Sequence, residues 1–305
     1  MRRITSKKVE YSIEGEKAKG VLVHDSIRLH KDSHELKEFP FLLINSWTEN
    51  RFERVDGVIG LSRSYYSTDG SNSGPALLDA LYQSGEIEKK IFSFHIDNYG
   101  QSAIQFGGYD MNNVAPGAPL TFIETPYDKD WKLTINAFRI GEKPTYDNGA
   151  KTAFYFEEKD AYLDSFSPYI KIPNSIAIPA FAKMLHGIKY ERIDGLLFGP
   201  CDLDQYHTIS LFVNDRYYLK LAPETFVIDI GNKDKCFLPI MYNSADNWVL
   251  GEPFFRSFYS VYDDAKGIIG LAPSINYLKA GIFEGVVPND ELPYARKNAA
   301  EKQQQ

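Results

Sequence analysis

Short runs of alternating apolar and polar residues, cut by glycine and proline, constrain this chain more than any other feature. A period of two sends successive side chains to opposite faces of a pleated strand, so such runs make half-buried strands rather than helices. Tyr, Phe, Val and Ile supply them, and aromatic residues reach 14% of the 305 residues, which suits packing between sheets. The pattern predicts strands over Val9–Ile13, Gly20–His24, Val58–Leu61, Phe92–Ile96, Ala103–Phe106, Leu133–Ile140, Ile209–Val213, Tyr217–Leu221, Phe258–Tyr262 and Ile268–Leu271. Asn214-Asp215, between two of these runs, predicts a hairpin turn. Two helices interrupt the pattern. One opens at Gly74-Pro75, puts Leu77, Leu78 and Leu81 on one face and stops at Gly85. The other is capped at Asn174-Ser175 and runs to Gly187 with Phe181 and Leu185 inward.

Composition narrows the class. With 43% hydrophobic and 25% charged residues the chain reads as an ordinary globular protein with a substantial core. A net charge of -7 carries no nucleic-acid footprint. No apolar run approaches the ~20 residues of a membrane span. Neither C-x-x-C nor H-E-x-x-H occurs, and two cysteines, Cys201 and Cys236, cannot build a zinc site alone, so no metal or cofactor is expected. By themselves the cysteines read as two buried thiols or as one disulfide of an oxidising compartment. The start, Met1-Arg2-Arg3-Ile4, lacks the apolar stretch of a secretory signal, and the sequence contains no N-x-S/T sequon.

Several motifs then follow one another in order. Val58-Ile59-Gly60 is an apolar-apolar-Gly segment ahead of the Pro75 helix and Ile104-Gln105-Phe106-Gly107-Gly108. Leu163-Asp164-Ser165-Phe166-Ser167 is an apolar strand that runs into a turn presenting a carboxylate. Trp248-Val249-Leu250-Gly251-Glu252-Pro253-Phe254-Phe255-Arg256 and Gly270-Leu271-Ala272 close the series. Together these resemble the pepsin-like aspartic peptidases, from about Val9 to Pro273. The resemblance implies an all-β, bilobed fold with a few short helices. It implies a lobe of residues 1–118 that holds a flap and the threading strand Val58-Ile59-Gly60 but is incomplete, a lobe of 119–273 divided from it near Pro119 with Val249-Leu250-Gly251 as its threading strand, and an extension of 274–305. It also implies a disulfide between Cys201 and Cys236.

In that family two Asp-Thr/Ser-Gly loops each give one carboxylate, and the pair shares a proton so that one activates water while the other protonates the carbonyl. Here the second loop maps onto Asp164, Ser165 and Ser167, with Phe166 where the family has glycine. Glycine is expected there, on the reasoning that a Cβ would clash and that a bulky ring would fill the space of the scissile bond. The first loop has no counterpart, because the matching region begins downstream of it. Val9–Gly15 maps onto the flap, with Ile13 at the family's tyrosine, Tyr11 able to serve only in a shifted register, and Gly15 at the tip. Thr68-Asp69-Gly70-Ser71 reads as a surface turn, Asp56 as a scaffold residue, and the six histidines as surface or satisfied scaffold groups.

The expectation is therefore a peptidase homologue that is not proteolytic as this chain stands and acts as a binding or structural component of an assembly. A protein partner would cover the incomplete lobe, and a peptide could occupy the cleft. The alternative is an active acid endopeptidase whose first catalytic loop lies upstream or on another chain. The family's usual compartment is secretory or lysosomal. In the extension, Tyr277, Leu278, Ile282, Phe283 and Val286 can dock on a surface, and Glu291–Gln305 reads as a polar end.

Overall fold

The computed structural model describes residues 3–13, 16–31, 33, 35–47, 56–63, 77–97, 102–126, 130–141, 153–232 and 235–285. By internal contacts the chain divides into two compact units, Met1–Ile91 and Phe92–Gln305.

The first unit is an antiparallel meander of β1 (Arg3–Ile13), β2 (Glu16–Ile27) and β3 (Leu36–Trp47), in that spatial order, followed by helix α1 (Leu77–Gln83). β1 and β2 meet at Ile13 opposite Glu16, and β2 buries Ala18 and Val23 completely. β3 carries no clean alternation and contains Pro40, which argues against a strand in sequence. The sheet tolerates the proline because β3 is an edge, where a missing N–H need not break a ladder. Helix α1 buries Leu77, Leu78 and Leu81 as expected, and Gly85 takes the left-handed φ of 76° that ends it. Its Asp79 is buried and held by Lys90 at 2.5 Å. Val58–Leu61 departs from expectation. It forms no strand, and Val58 and Ile59 are 44% and 63% exposed, because no described strand pairs with the segment.

The second unit begins with β4 (Ile91–His95), β5 (Ala103–Phe106), β6 (Thr121–Glu124), β7 (Lys132–Ile140), β8 (Ala153–Leu163), β9 (Ile170–Pro173) and helix α2 (Asn174–Met184). It continues with β10 (Glu191–Ile193), β11 (Leu196–Gly199), β12 (Ile209–Val213), β13 (Tyr217–Leu221), the short α3 (Pro223–Phe226), β14 (Ile228–Asp229), β15 (Cys236–Leu238), β16 (Ile240–Asn243) and β17 (Trp248–Leu250). Helix α4 (Glu252–Ser257), β18 (Phe258–Asp263), β19 (Ile268–Pro273) and β20 (Gly281–Glu284) complete it.

Three sheets result. The largest has eight strands in the order β16-β9-β17-β8-β7-β12-β13-β20; a second runs β5-β4-β18-β19-β6 and a third β10-β11-β15-β14. Residues 92–118 belong to this unit by contact, since β4 and β5 share a sheet with β18 and β19. The hairpin expected at Asn214-Asp215 is present, with both residues at left-handed φ of 50° and 55°, between β12 and β13.

Aromatic packing makes the core. Phe92 stacks on Tyr262 with ring centres 4.5 Å apart, and Trp131 meets Tyr262 edge to face at 5.1 Å. Complete burial holds the Tyr262 phenol far above the usual range. Helix α4 starts on Gly251, has Pro253 in its first turn, buries Phe254 and Phe255, and carries an Arg256–Glu252 pair on its outer side. The chain after Pro273 is not a loose appendage through Gly285. Tyr277 is buried, and β20 pairs with β13 from Tyr217 opposite Glu284 to Lys220 opposite Gly281. Leu278 and Phe283 stay exposed; Val286 and residues 291–305 lie outside the described residues.

Candidate functional site

β8 delivers the carboxylate. β17 runs parallel to it, with Val249 opposite Tyr162 and Leu250 opposite Leu163, and on its other side pairs antiparallel with β9 through Leu250 and Ile170. The turn 164–167 therefore links two strands with a third strand threaded between them. The Asp164 N–H donates to the Leu250 carbonyl at 3.1 Å, and the Leu163 N–H donates to the Trp131 carbonyl at 2.9 Å. The Ser167 N–H closes the turn on the Asp164 carbonyl at 3.1 Å, and the Phe166 N–H donates to Asp164 Oδ1 at 3.0 Å. One carboxylate oxygen thus holds its own turn, an Asx arrangement.

The rest of the turn divides between solvent and core. Asp164 is half-buried and Ser165 is exposed. Ser167 is completely buried, its hydroxyl 3.4 Å from both the carbonyl and the N–H of Tyr169, and its carbonyl accepts the Glu252 N–H at 2.9 Å. The turn is thereby tied to the first residue of α4.

The close approach that demands glycine lies at Gly251 and not, as expected from the sequence, at Phe166. Phe166 does not occupy left-handed space, and its side chain is 37% exposed, so the turn accepts a Cβ at that position. The position that cannot accept one is Gly251. A Cβ there would stand 2.3 Å from the carbonyl oxygens of both Ser167 and Tyr169. The apolar-apolar-Gly signal pointed to Gly251 as a threading residue; its contact with the turn appears only in three dimensions.

The remaining predicted residues fall elsewhere. Tyr11 and Ile13 lie on β1, opposite Ala18 and Glu16 of β2, while Gly15 lies outside the described residues. Val58-Ile59-Gly60, expected as the threading strand of the first lobe, forms none. Thr68-Asp69-Gly70-Ser71 also lies outside the described residues, and Asp56 is exposed. Among the histidines, His95 is buried against Tyr259, and burial lowers its pKa against a smaller opposing effect of Asp97. His34 lies outside the described residues, His30, His186 and His207 are exposed, and His24 is partly exposed beside the Glu38 carbonyl.

Cys201 and Cys236 are joined, tying the segment after β11 to β15. Nearby, burial pushes the Tyr206 phenol up to about 12, and its hydroxyl donates to the Pro200 carbonyl at 2.8 Å. Among the described residues no cluster of His, Cys, Asp or Glu is suited to hold a metal ion, and no helix is long and apolar enough to cross a membrane.

A carboxylate turn threaded by an apolar-apolar-Gly strand defines a class, and comparison with known proteins gives the same one. The eukaryotic aspartyl protease family profile matches residues 3–274. The chain belongs to that family and has its all-β pepsin-like fold. Gastricsin of Mus musculus is 24% identical over 266 residues, covering 84% of this chain and 64% of its own length. Pepsin A of Sus scrofa is 23% identical over 264 residues, covering 83% and 63%. Aspartic protease 6 of Caenorhabditis elegans is 24% identical over 232 residues, covering 73% and 55%. The chain thus spans less than two thirds of the length of these relatives.

Proposed function

We infer that this chain, as it stands, is a peptidase homologue that binds rather than cleaves, and that it works as a component of an assembly with a protein partner. The observation that carries the reading is the carboxylate turn itself. It keeps the threaded geometry of an aspartyl-protease loop, yet it presents Asp164 beside Phe166, and the sequence contains no second loop of this type.

Water activation in this family needs two carboxylates that share one proton, so that one is ionised as base while the other is protonated as acid. A single carboxylate titrates once and holds only one of those roles. Asp164 also has a structural task here, because its Oδ1 fixes the turn. From the resemblance we assign Asp164, Ser165 and Ser167 to the vestigial catalytic loop, and peptide contact to the hairpin residues Ile13, Tyr11 and Gly15. From the resemblance the lobes are assigned as residues 1–118 and 119–273, with 274–305 as an extension, while internal contacts alone group residues 92–118 with the second unit.

The test is binding without turnover. A fluorescent extended peptide should give saturable anisotropy with the full chain and should remain intact by mass spectrometry. Absence of saturation, or a protein that is a ligand-free monomer in sedimentation at micromolar concentration and in its native extract, would remove the binding reading.

A second reading has a specific observation behind it. The Asp164 N–H is tied to the Leu250 carbonyl of β17, and the relatives matched include gastricsin and pepsin A. On that reading the chain supplies one half of an active acid endopeptidase, and the other catalytic loop lies upstream or on another chain. Hydrolysis inhibited by a statine-type compound after supplying the missing loop would favour it.

A further inference from the structure

We propose that the face of the eight-stranded sheet formed by β7, β12, β13 and β20 holds a binding groove for a small aromatic or apolar carboxylate, with Arg139 as its anion-binding group. Cross-strand register builds it. Arg139 stands opposite Ser210, Ser210 opposite Lys220, and Lys220 opposite Gly281, over which the Phe283 ring lies. Two residues along each strand on the same face, Phe212 stands opposite Tyr218, and Tyr218 opposite Phe283. One row is thus cation, hydroxyl, cation; the next starts at Ala137 on β7 and is aromatic on β12, β13 and β20.

The rows enclose a groove of about 350 Å³ lined by Arg139, Thr208, Ser210, Tyr218, Lys220 and Phe283, with Glu284 at the rim. That volume is at the lower end of small-molecule sites, roughly 300–1,000 Å³. Its polar groups ask for a partner. Arg139 Nε and Thr208 Oγ1 are buried without a hydrogen bond, a costly state that native proteins normally resolve. The guanidinium of Arg139 lies 5.7 Å from the Tyr218 ring centre, and no carboxylate among the described residues pairs with it. Among the described residues the acid at the rim is Glu284, which is taken by Arg216 at 2.7 Å. In a chain of net charge -7 Arg139 thus gives the groove a cation. A planar guanidinium accepts a carboxylate on two donors. Exposed Phe283 and Tyr218, whose ring meets buried Phe212 edge to face, offer the apolar wall.

The proposal is independent of the Asp164 turn and is tested on the full chain with phenylacetate as probe and phenylacetamide as its uncharged counterpart. Calorimetry should show phenylacetate binding about tenfold tighter than the amide. NMR shifts should be confined to Thr208, Ser210, Tyr218 and their neighbours. Arg139→Gln should weaken phenylacetate by about tenfold while leaving the amide unchanged, and Asp164→Asn should change neither. Equal binding of acid and amide, shifts elsewhere on the protein, or an Arg139→Gln protein with unchanged affinity overturns it. Should Arg139→Gln fail to fold, Lys220→Gln and Thr208→Val take its place, and unchanged affinity in both is likewise fatal.

Discussion

Single residues divide here into those that define the carboxylate turn and those that the turn merely accommodates. Gly251 defines it, because any Cβ would run into two carbonyl oxygens. Gly251→Ala should cost about 3 kcal/mol in urea denaturation, the upper end of overpacking, whereas Phe166→Gly should stay within about 1 kcal/mol of the native protein. Asp164→Asn keeps an oxygen to accept the Phe166 N–H and should be close to neutral, while Asp164→Ala should lose about 1 kcal/mol.

His95 sets a pH dependence at the same scale. Burial lowers its pKa below the ordinary 6.5, so the unfolded chain takes up the proton first. Its contribution is fully present above the ordinary value and is lost as pH falls toward the lowered one. The melting temperature should drop between about pH 7 and pH 5, and His95→Gln should flatten that drop; an unchanged slope would show that other groups set it.

At the scale of elements, legibility in the sequence followed how each strand is buried. Strands with one face covered, such as β7 and β13, carry an alternating pattern and are readable to within a residue, as is the hairpin whose left-handed turn demands Asn-Asp. β3 was not, since an edge strand with Pro40 needs no alternation, and neither were β9, β14 and β16, which are two to four residues long and depend on their neighbours. Val58–Leu61 has the composition of a strand and forms none, which is where composition alone misleads.

The disulfide was implied by resemblance, and its two cysteines were otherwise undecided between thiols and a bridge. It closes a separation of 35 residues. Loop closure of that length is worth about 4 kcal/mol, so Cys201→Ser with Cys236→Ser should lower the unfolding free energy by about that amount. β20 makes the complementary case. Its pairing with β13 means that ending the chain at Ser274 should bare an eight-stranded sheet's edge, lower stability and promote self-association in sedimentation.

For the whole molecule, the order of motifs carried the family, and the family profile over residues 3–274 agrees with it. Threading could be inferred from Val249-Leu250-Gly251. Which atoms it brings together could not, because carbonyl positions at Ser167 and Tyr169 have no sequence signature. The same holds for the proposed groove, whose row of Arg139, Ser210 and Lys220 is spread over three strands and joined only by register.

Whether the account stands at this scale turns on one carboxylate doing the work of none or of half a pair. The direct measurement is hydrolysis of an extended peptide by the purified full chain across acid pH, with and without a statine-type inhibitor, beside Asp164→Asn. The account predicts a rate indistinguishable from the buffer blank in every arm. Turnover that the inhibitor stops and Asp164→Asn abolishes would contradict it.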